Sequence, residues 1–174
     1  MKQSLKEKIK KIKLLVLDVD GILTNGQIVI DSKGKEIKYF DVQDGFGLVF
    51  FRKMGYKTAI LSARSAPAVT ARAKDLKINK ICQNAAPKLP VYKKLLKEFR
   101  LKSNQVCFMA DDLPDLKVLK QAGFAVTVPN AVKEVKAVAD YVTKNKGGEG
   151  AIREVVELIL KTQGKWKNVL KFCS

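Results

Sequence analysis

The 174-residue chain predicts an α/β domain: a doubly wound, mostly parallel sheet with a β-hairpin inserted after the first strand and no large cap domain. Three observations carry this reading. Short apolar runs alternate with helical patterns almost throughout, which is the order that builds a parallel sheet covered by helices. The first run, "KLLVLDV" at 13–19, is continuous rather than alternating, so that strand is covered on both faces. Alternation appears only just after it, in "QIVIDSKGKEIKYF" at 27–40, where two strands flank Asp31-Ser32-Lys33-Gly34. The expected architecture is therefore Rossmann-like, with one antiparallel departure.

The elements follow in order. Residues 4–13 are basic and helical in pattern, with Leu5, Ile9 and Ile12 on one face. This stretch reads as a lead-in helix packed on the domain or as a membrane-surface helix. The first strand and the hairpin come next, then a helix over 45–55 closed by Gly55. Residues 56–64 hold a second buried strand, and a helix starts at Pro67, where proline suits the first turn. A short strand lies at 79–83, an amphipathic helix at 88–100 and a fourth strand at 104–110. A helix begins near Pro114, followed by a strand at 123–128, a helix at 131–139, a short strand at 140–143 and a helix over 151–163. No linker divides the chain, so residues 1–174 read as one domain. Its tail, from about 163 to 174, carries no functional signal; Trp166 packs into a neighbour or the tail is mobile.

In such a sheet ligands bind beyond the carboxyl ends of the strands. Reading those ends gives Asp18 and Asp20, then Ser62 and Arg64, then Lys88 shortly after the third strand, then Asp111, Asp112 and Asp115. Asp18 and Asp111 on neighbouring strands would repel each other, and a hard divalent cation such as Mg²⁺ resolves that conflict. A carboxylate beside such a metal can attack phosphorus. A second carboxylate two residues on can protonate a leaving oxygen and then activate water. A hydroxyl and an ammonium suit the oxygens of a phosphoryl group in transfer. Taken singly, each residue has a plain structural reading; Asp111 and Asp112, for example, could cap the next helix.

The ordered set Asp18-x-Asp20-Gly21-Ile22-x-Thr24, Ser62, Lys88 and Asp111-Asp112-x-x-Asp115 resembles the haloacid dehalogenase superfamily. The resemblance implies Asp18 as nucleophile, Asp20 as general acid and base, and Ser62 and Lys88 as phosphoryl ligands. It implies Mg²⁺ held by Asp18, the Asp20 backbone carbonyl and Asp111, with Asp115 and Asp112 orienting water on the metal. An acid at position 20 matches the phosphatase branches of the superfamily rather than the dehalogenases. Over roughly residues 10–160 the chain is most similar to capless members that act on the 8-phosphate of an eight-carbon sugar acid in lipopolysaccharide precursor synthesis. There the hairpin builds a homotetramer and neighbouring subunits complete each site. By that likeness Thr24, Asn25, Arg64 and Arg153, with the "GGEG" segment at 147–150, contact the sugar acid. Arg153 also has a plain reading, an exposed residue in the first turn of a helix. Asn25, Ala63 and Ala110 depart from the common pattern without removing a catalytic group.

Composition narrows the chemistry. The chain has no histidine, which excludes a Ser-His-Asp triad, a histidine zinc site and a phosphohistidine. The cysteines Cys82, Cys107 and Cys173 have no metal-site spacing. A net charge of +17 favours anionic partners, either as a solvated lysine-rich surface or as a nucleic-acid face. Few aromatics count against nucleic-acid stacking, so neither a nucleic-acid nor a membrane partner is expected. No signal peptide or membrane span is legible, and a cytoplasmic location is the expectation. The alternatives are a phosphatase for a nine-carbon sugar acid 9-phosphate, a nucleic-acid 3′-phosphatase and a non-catalytic binding module.

Overall fold

The computed structural model describes residues 3–173, apart from the Cys173 side chain. Helix α1 (Gln3–Lys10) leads into strand β1 (Leu14–Leu17), whose four side chains are all buried. The hairpin strands β2 (Val29–Ile30) and β3 (Glu36–Ile37) precede α2 (Val42–Lys53), β4 (Lys57–Leu61), α3 (Pro67–Asp75), β5 (Lys80–Cys82) and α4 (Lys88–Phe99). Then come β6 (Val106–Met109), α5 (Leu116–Leu119), β7 (Phe124–Thr127), α6 (Lys133–Val138), β8 (Tyr141–Val142), α7 (Ala151–Thr162) and α8 (Trp166–Cys173).

Six strands form one sheet in the order β5-β4-β1-β6-β7-β8, and every pairing in it is parallel. No cap domain interrupts it among the described residues. Burial on both faces explains the unbroken apolar runs: Leu14, Leu15, Val16 and Leu17 point alternately up and down and are all inaccessible. Each contributes about 1.5–3 kcal/mol through burial. From β1 the chain winds outward through β4 to β5, then crosses back to β6 and winds outward on the other side. The reversal opens a crevice between β1 and β6, the place where such sheets bind ligands.

Four expectations need adjusting. The hairpin spans less than 27–40: only Val29–Ile30 pairs with Glu36–Ile37, because a two-stranded ribbon is marginal by itself and residue 38 turns back toward the sheet. Helix α2 starts earlier than expected, at Val42, where the Asp41 carboxylate accepts the Asp44 N–H at 2.8 Å. The helix near Pro114 is a 3₁₀ turn, Leu113–Asp115, before the short α5. The tail is the helix α8, fixed by buried Val169 and by Trp166 beneath the Arg153 and Lys161 cations. Helix α1 packs on the domain through buried Ile9, followed by buried Ile12 just beyond its end, and the Gln163 amide of the α7 C-cap donates to the carbonyls of both.

Candidate active site

The loop after β1 is wound around one carbonyl. The Val19 oxygen accepts from the amides of Ile22, Leu23 and Thr24 at 3.2, 2.9 and 3.0 Å, and from the Thr24 hydroxyl at 3.3 Å. Gly21 is required there, since its φ is +84° and a Cβ would stand 2.0 Å from Asp111 Oδ2. Gly147 and Gly148 brace this loop from behind: a Cβ on Gly147 would overlap the Gly21 carbonyl, and the Gly148 amide donates to Ile22 O at 2.9 Å. The loop therefore aims two carboxylates along different paths.

Asp18 points into the crevice. The Asp18 amide donates to Met109 O at 3.0 Å, holding the exits of β1 and β6 in register. Oxygens of Asp18, Asp111 and Asp115 lie within 4.8 Å of one another. Lys88, the first residue of α4, sits among them with its ammonium 2.9 Å from Asp18 and 2.6 Å from Asp115. One cation thus faces three carboxylates, all at least partly buried. Burial and the neighbouring charges of Asp18, Asp115 and Asp112 push the Asp111 carboxyl up to about 7. Burial and Asp18 push Asp115 up to about 7 against the opposing pull of Lys88. Burial raises Asp18 as well, although Lys88 works against it. Burial draws the Lys88 ammonium down, but Asp18 and Asp115 more than offset this and hold it above the ordinary lysine value. Asp111 Oδ1 is buried without a hydrogen-bond partner. An orphaned carboxylate oxygen amid excess negative charge is the donor set that a hard dication fits.

Asp20 turns the other way. Its Oδ1 receives the Lys38 ammonium at 2.5 Å, and Arg64 Nε stands 3.8 Å from its Oδ2. Glu36 closes the group, taking Lys38 at 2.8 Å and Arg64 at 3.0 Å. Buried Ser62 projects its hydroxyl from the end of β4, where Oγ accepts the Arg64 amide at 3.3 Å. A cleft of about 270 Å³ is lined by Asp18, Asp20, Ser62, Arg64, Lys88 and Asp111, together with Asp112 and buried Asp115.

Three expected substrate contacts do not reach this cleft within the chain. Thr24 is buried and its hydroxyl is used by the loop, donating to Val19 O and accepting from Gly26. Asn25 is exposed and bonds to Gln27. Arg153 is held by Glu157 at 2.7 Å and lies over the Phe50 and Trp166 rings, while the glycine segment beside it serves as the loop's brace. Conversely, Glu36 and Lys38 escaped the reading of strand ends because they lie on the hairpin. Their spacing of two in an extended strand, which puts both side chains on one face, was the available signal. Asp44 was missed too; its carboxylate accepts Arg153 N–H at 2.8 Å and Gly150 N–H at 3.3 Å, capping α7 from a different helix.

Comparison with known proteins places the chain in a family. The profile of the haloacid dehalogenase-like hydrolases matches residues 74–155. The 3-deoxy-D-manno-octulosonate 8-phosphate phosphatase of Escherichia coli (strain K12) is 38% identical over 158 residues, covering 91% of this chain and 84% of the relative. The Yersinia pestis enzyme of the same name is 38% identical over 159 residues, covering 91% and 85%. Among solved structures, the Moraxella catarrhalis phosphatase of that name, in complex with magnesium ion, phosphate ion and a KDO molecule, superposes with a TM-score of 0.97 at 42% identity, covering 100% of both chains. The cobalt-bound phosphatase from Haemophilus influenzae superposes with a TM-score of 0.88 at 35% identity, covering 91% of this chain and 92% of that one.

Proposed function

The chain belongs to the haloacid dehalogenase-like hydrolases and, within them, to the 3-deoxy-D-manno-octulosonate 8-phosphate phosphatase family, and on that premise we propose the mechanism by which this phosphoric monoester hydrolase works. The observation that carries it is the trio of buried Asp18 and Asp115 with half-buried Asp111, whose Oδ1 is orphaned, beside Asp20 in the same cleft.

The substrate is the 8-phosphate of 3-deoxy-D-manno-octulosonate, as in the relatives. Ser62 and Lys88 hold the phosphoryl oxygens. An Asp18 oxygen attacks phosphorus, the ester P–O bond breaks, and the departing sugar oxygen takes a proton from Asp20. Water then attacks the aspartyl-phosphate, gives its proton to Asp20, and the Asp18–phosphorus bond breaks to release phosphate. Magnesium is the cofactor; held by Asp18, the Asp20 backbone carbonyl and Asp111, it neutralises the carboxylates and the phosphoryl charge that Asp18 must approach. Asp115, buried against Lys88, and Asp112 support this arrangement, and Arg64 meets the substrate carboxylate.

We also propose a single domain that assembles as a homotetramer through the hairpin. The hairpin exposes apolar residues on both of its faces, Ile28 and Ile30 on one and Ile37 and Tyr39 on the other, and α2 exposes Val42 and Phe46; such residues are of the kind that subunits cover. In that assembly Arg153 and Asn25 meet substrate held in a neighbour's cleft. No described helix is long and apolar enough to cross a membrane, and we place the enzyme in the cytoplasm, in lipopolysaccharide precursor synthesis.

Phosphate release from the eight-carbon 8-phosphate and a nine-carbon 9-phosphate, with and without Mg²⁺, tests this. Mg²⁺-dependent turnover favouring the eight-carbon ester is expected; preference for the nine-carbon ester would move the pathway and keep the chemistry.

A further inference from the structure

We propose that Lys38, anchored by Glu36, is a positioning residue that holds the Asp20 carboxyl in line with the leaving oxygen, so that the hairpin takes part in proton transfer. This rests on the acid and base role proposed for Asp20. Lys38 reaches the site from beyond β3, yet its side chain is only 2% exposed and its ammonium ends between Asp20 at 2.5 Å and Glu36 at 2.8 Å. It lies behind Asp20 and is not among the residues that line the cleft. Burying a lysine is unfavourable unless partners satisfy its charge. Here both partners are carboxylates, and one of them is Asp20.

The contact constrains Asp20 in a specific way. Lys38 holds Oδ1, which leaves Oδ2 on the side of Arg64, a residue that lines the cleft with Asp20. Glu36 balances the lysine and bridges to Arg64, so the four side chains form a closed and neutral set. A general acid must sit within hydrogen-bond reach of the atom it protonates, and a displacement of about 1 Å costs on the order of 10²-fold in rate. Without Lys38 the Asp20 side chain keeps only the longer Arg64 contact to fix its rotamer.

A comparison of leaving groups separates positioning from other roles. A sugar ester leaves as an alkoxide and needs a proton; p-nitrophenyl phosphate leaves as a stable phenolate and does not. The ratio kcat/KM reports the first transfer. With saturating Mg²⁺, Lys38→Met is expected to lower kcat/KM for the sugar-acid 8-phosphate by roughly 10- to 100-fold, and for the aryl ester by no more than about threefold. Rapid mixing with the aryl ester then gives a burst of p-nitrophenolate followed by slow turnover, because water activation still depends on Asp20. Lys38→Arg recovers most of the sugar-ester rate. Equal losses on both esters, or a rise in KM alone, would overturn the proposal. Asp20→Asn is measured alongside. If it discriminates between the esters and Lys38→Met does not, Lys38 loses its role while Asp20 keeps its own; if Asp20→Asn treats both alike, the acid and base reading itself fails. Should Lys38→Met not fold, Glu36→Gln is expected to show the same discrimination at smaller size, and its absence overturns the proposal equally.

Discussion

The two halves of the cleft solve opposite electrostatic problems. On the β1–β6 side, Asp18, Asp111 and Asp115 face one cation, Lys88, and the Asp111 and Asp115 carboxyls are pushed up to about 7. On the hairpin side, Asp20 and Glu36 face Lys38 and Arg64, so charge is balanced within the chain. The first half is short of positive charge, a donor set that a dication fits. The second is complete without one. Neutralisation by metal suits a nucleophile that must approach a phosphate; neutralisation by fixed side chains suits a carboxyl that must keep its direction while its proton comes and goes.

That contrast is open to attack in order of size. Asp18→Asn is expected to lower kcat by about 10⁴-fold or more with an unchanged fold, since the proposed nucleophile has no substitute; circular dichroism and phosphate release measure both. Chelating the metal is expected to cost on the order of 10³-fold, restored by Mg²⁺, because several kcal/mol of charge stabilisation leave with it. The pH dependence of binding sharpens the comparison. Asp111 ordinarily titrates at 3.8 and here near 7, so below pH 7 the metal-free site holds a proton that Mg²⁺ must displace. Apparent Mg²⁺ affinity should fall by up to about tenfold per unit between pH 7 and pH 5, with proton uptake on release, readable by calorimetry in two buffers. Asp111→Asn should abolish Mg²⁺ stabilisation yet raise the melting temperature of the metal-free protein at pH 8 by about 3 °C, since it removes one of the crowded charges. An unchanged melting temperature would mean that the carboxylates do not strain the fold. The smallest effect falls outside both halves: Asp44→Ala, which uncaps α7, is expected to cost about 1–2 kcal/mol of stability and leave Mg²⁺ affinity alone.

Much of the fold was legible in the chain order. Continuous apolar runs such as "LLVL" announce strands covered on both faces, and Pro67 marks its helix start to the residue. The positions of Asp18, Asp20, Ser62, Lys88 and Asp111 in one cleft follow from a local rule, that polar residues at the carboxyl ends of parallel strands converge. Lys38 and Glu36 were beyond that rule, because nothing local says that a hairpin curls back onto the strand it follows. Where the Thr24 hydroxyl goes was not legible for another reason: its burial and its bonds to Val19 O and Gly26 N–H are set by how the loop winds in space.

The sequence by itself determined the parallel sheet, the carboxylate-rich rim and the absence of histidine chemistry, because periodicity, strand ends and composition are properties of the chain order. The tertiary structure alone decided which carboxylates share a metal-sized space, which of them a lysine holds in place, and that Arg153 is packed between Phe50 and Trp166 instead of facing its own cleft. Those are facts about distance between residues far apart in the chain, and electrostatic energy depends on that distance and on burial, neither of which is written at any single position.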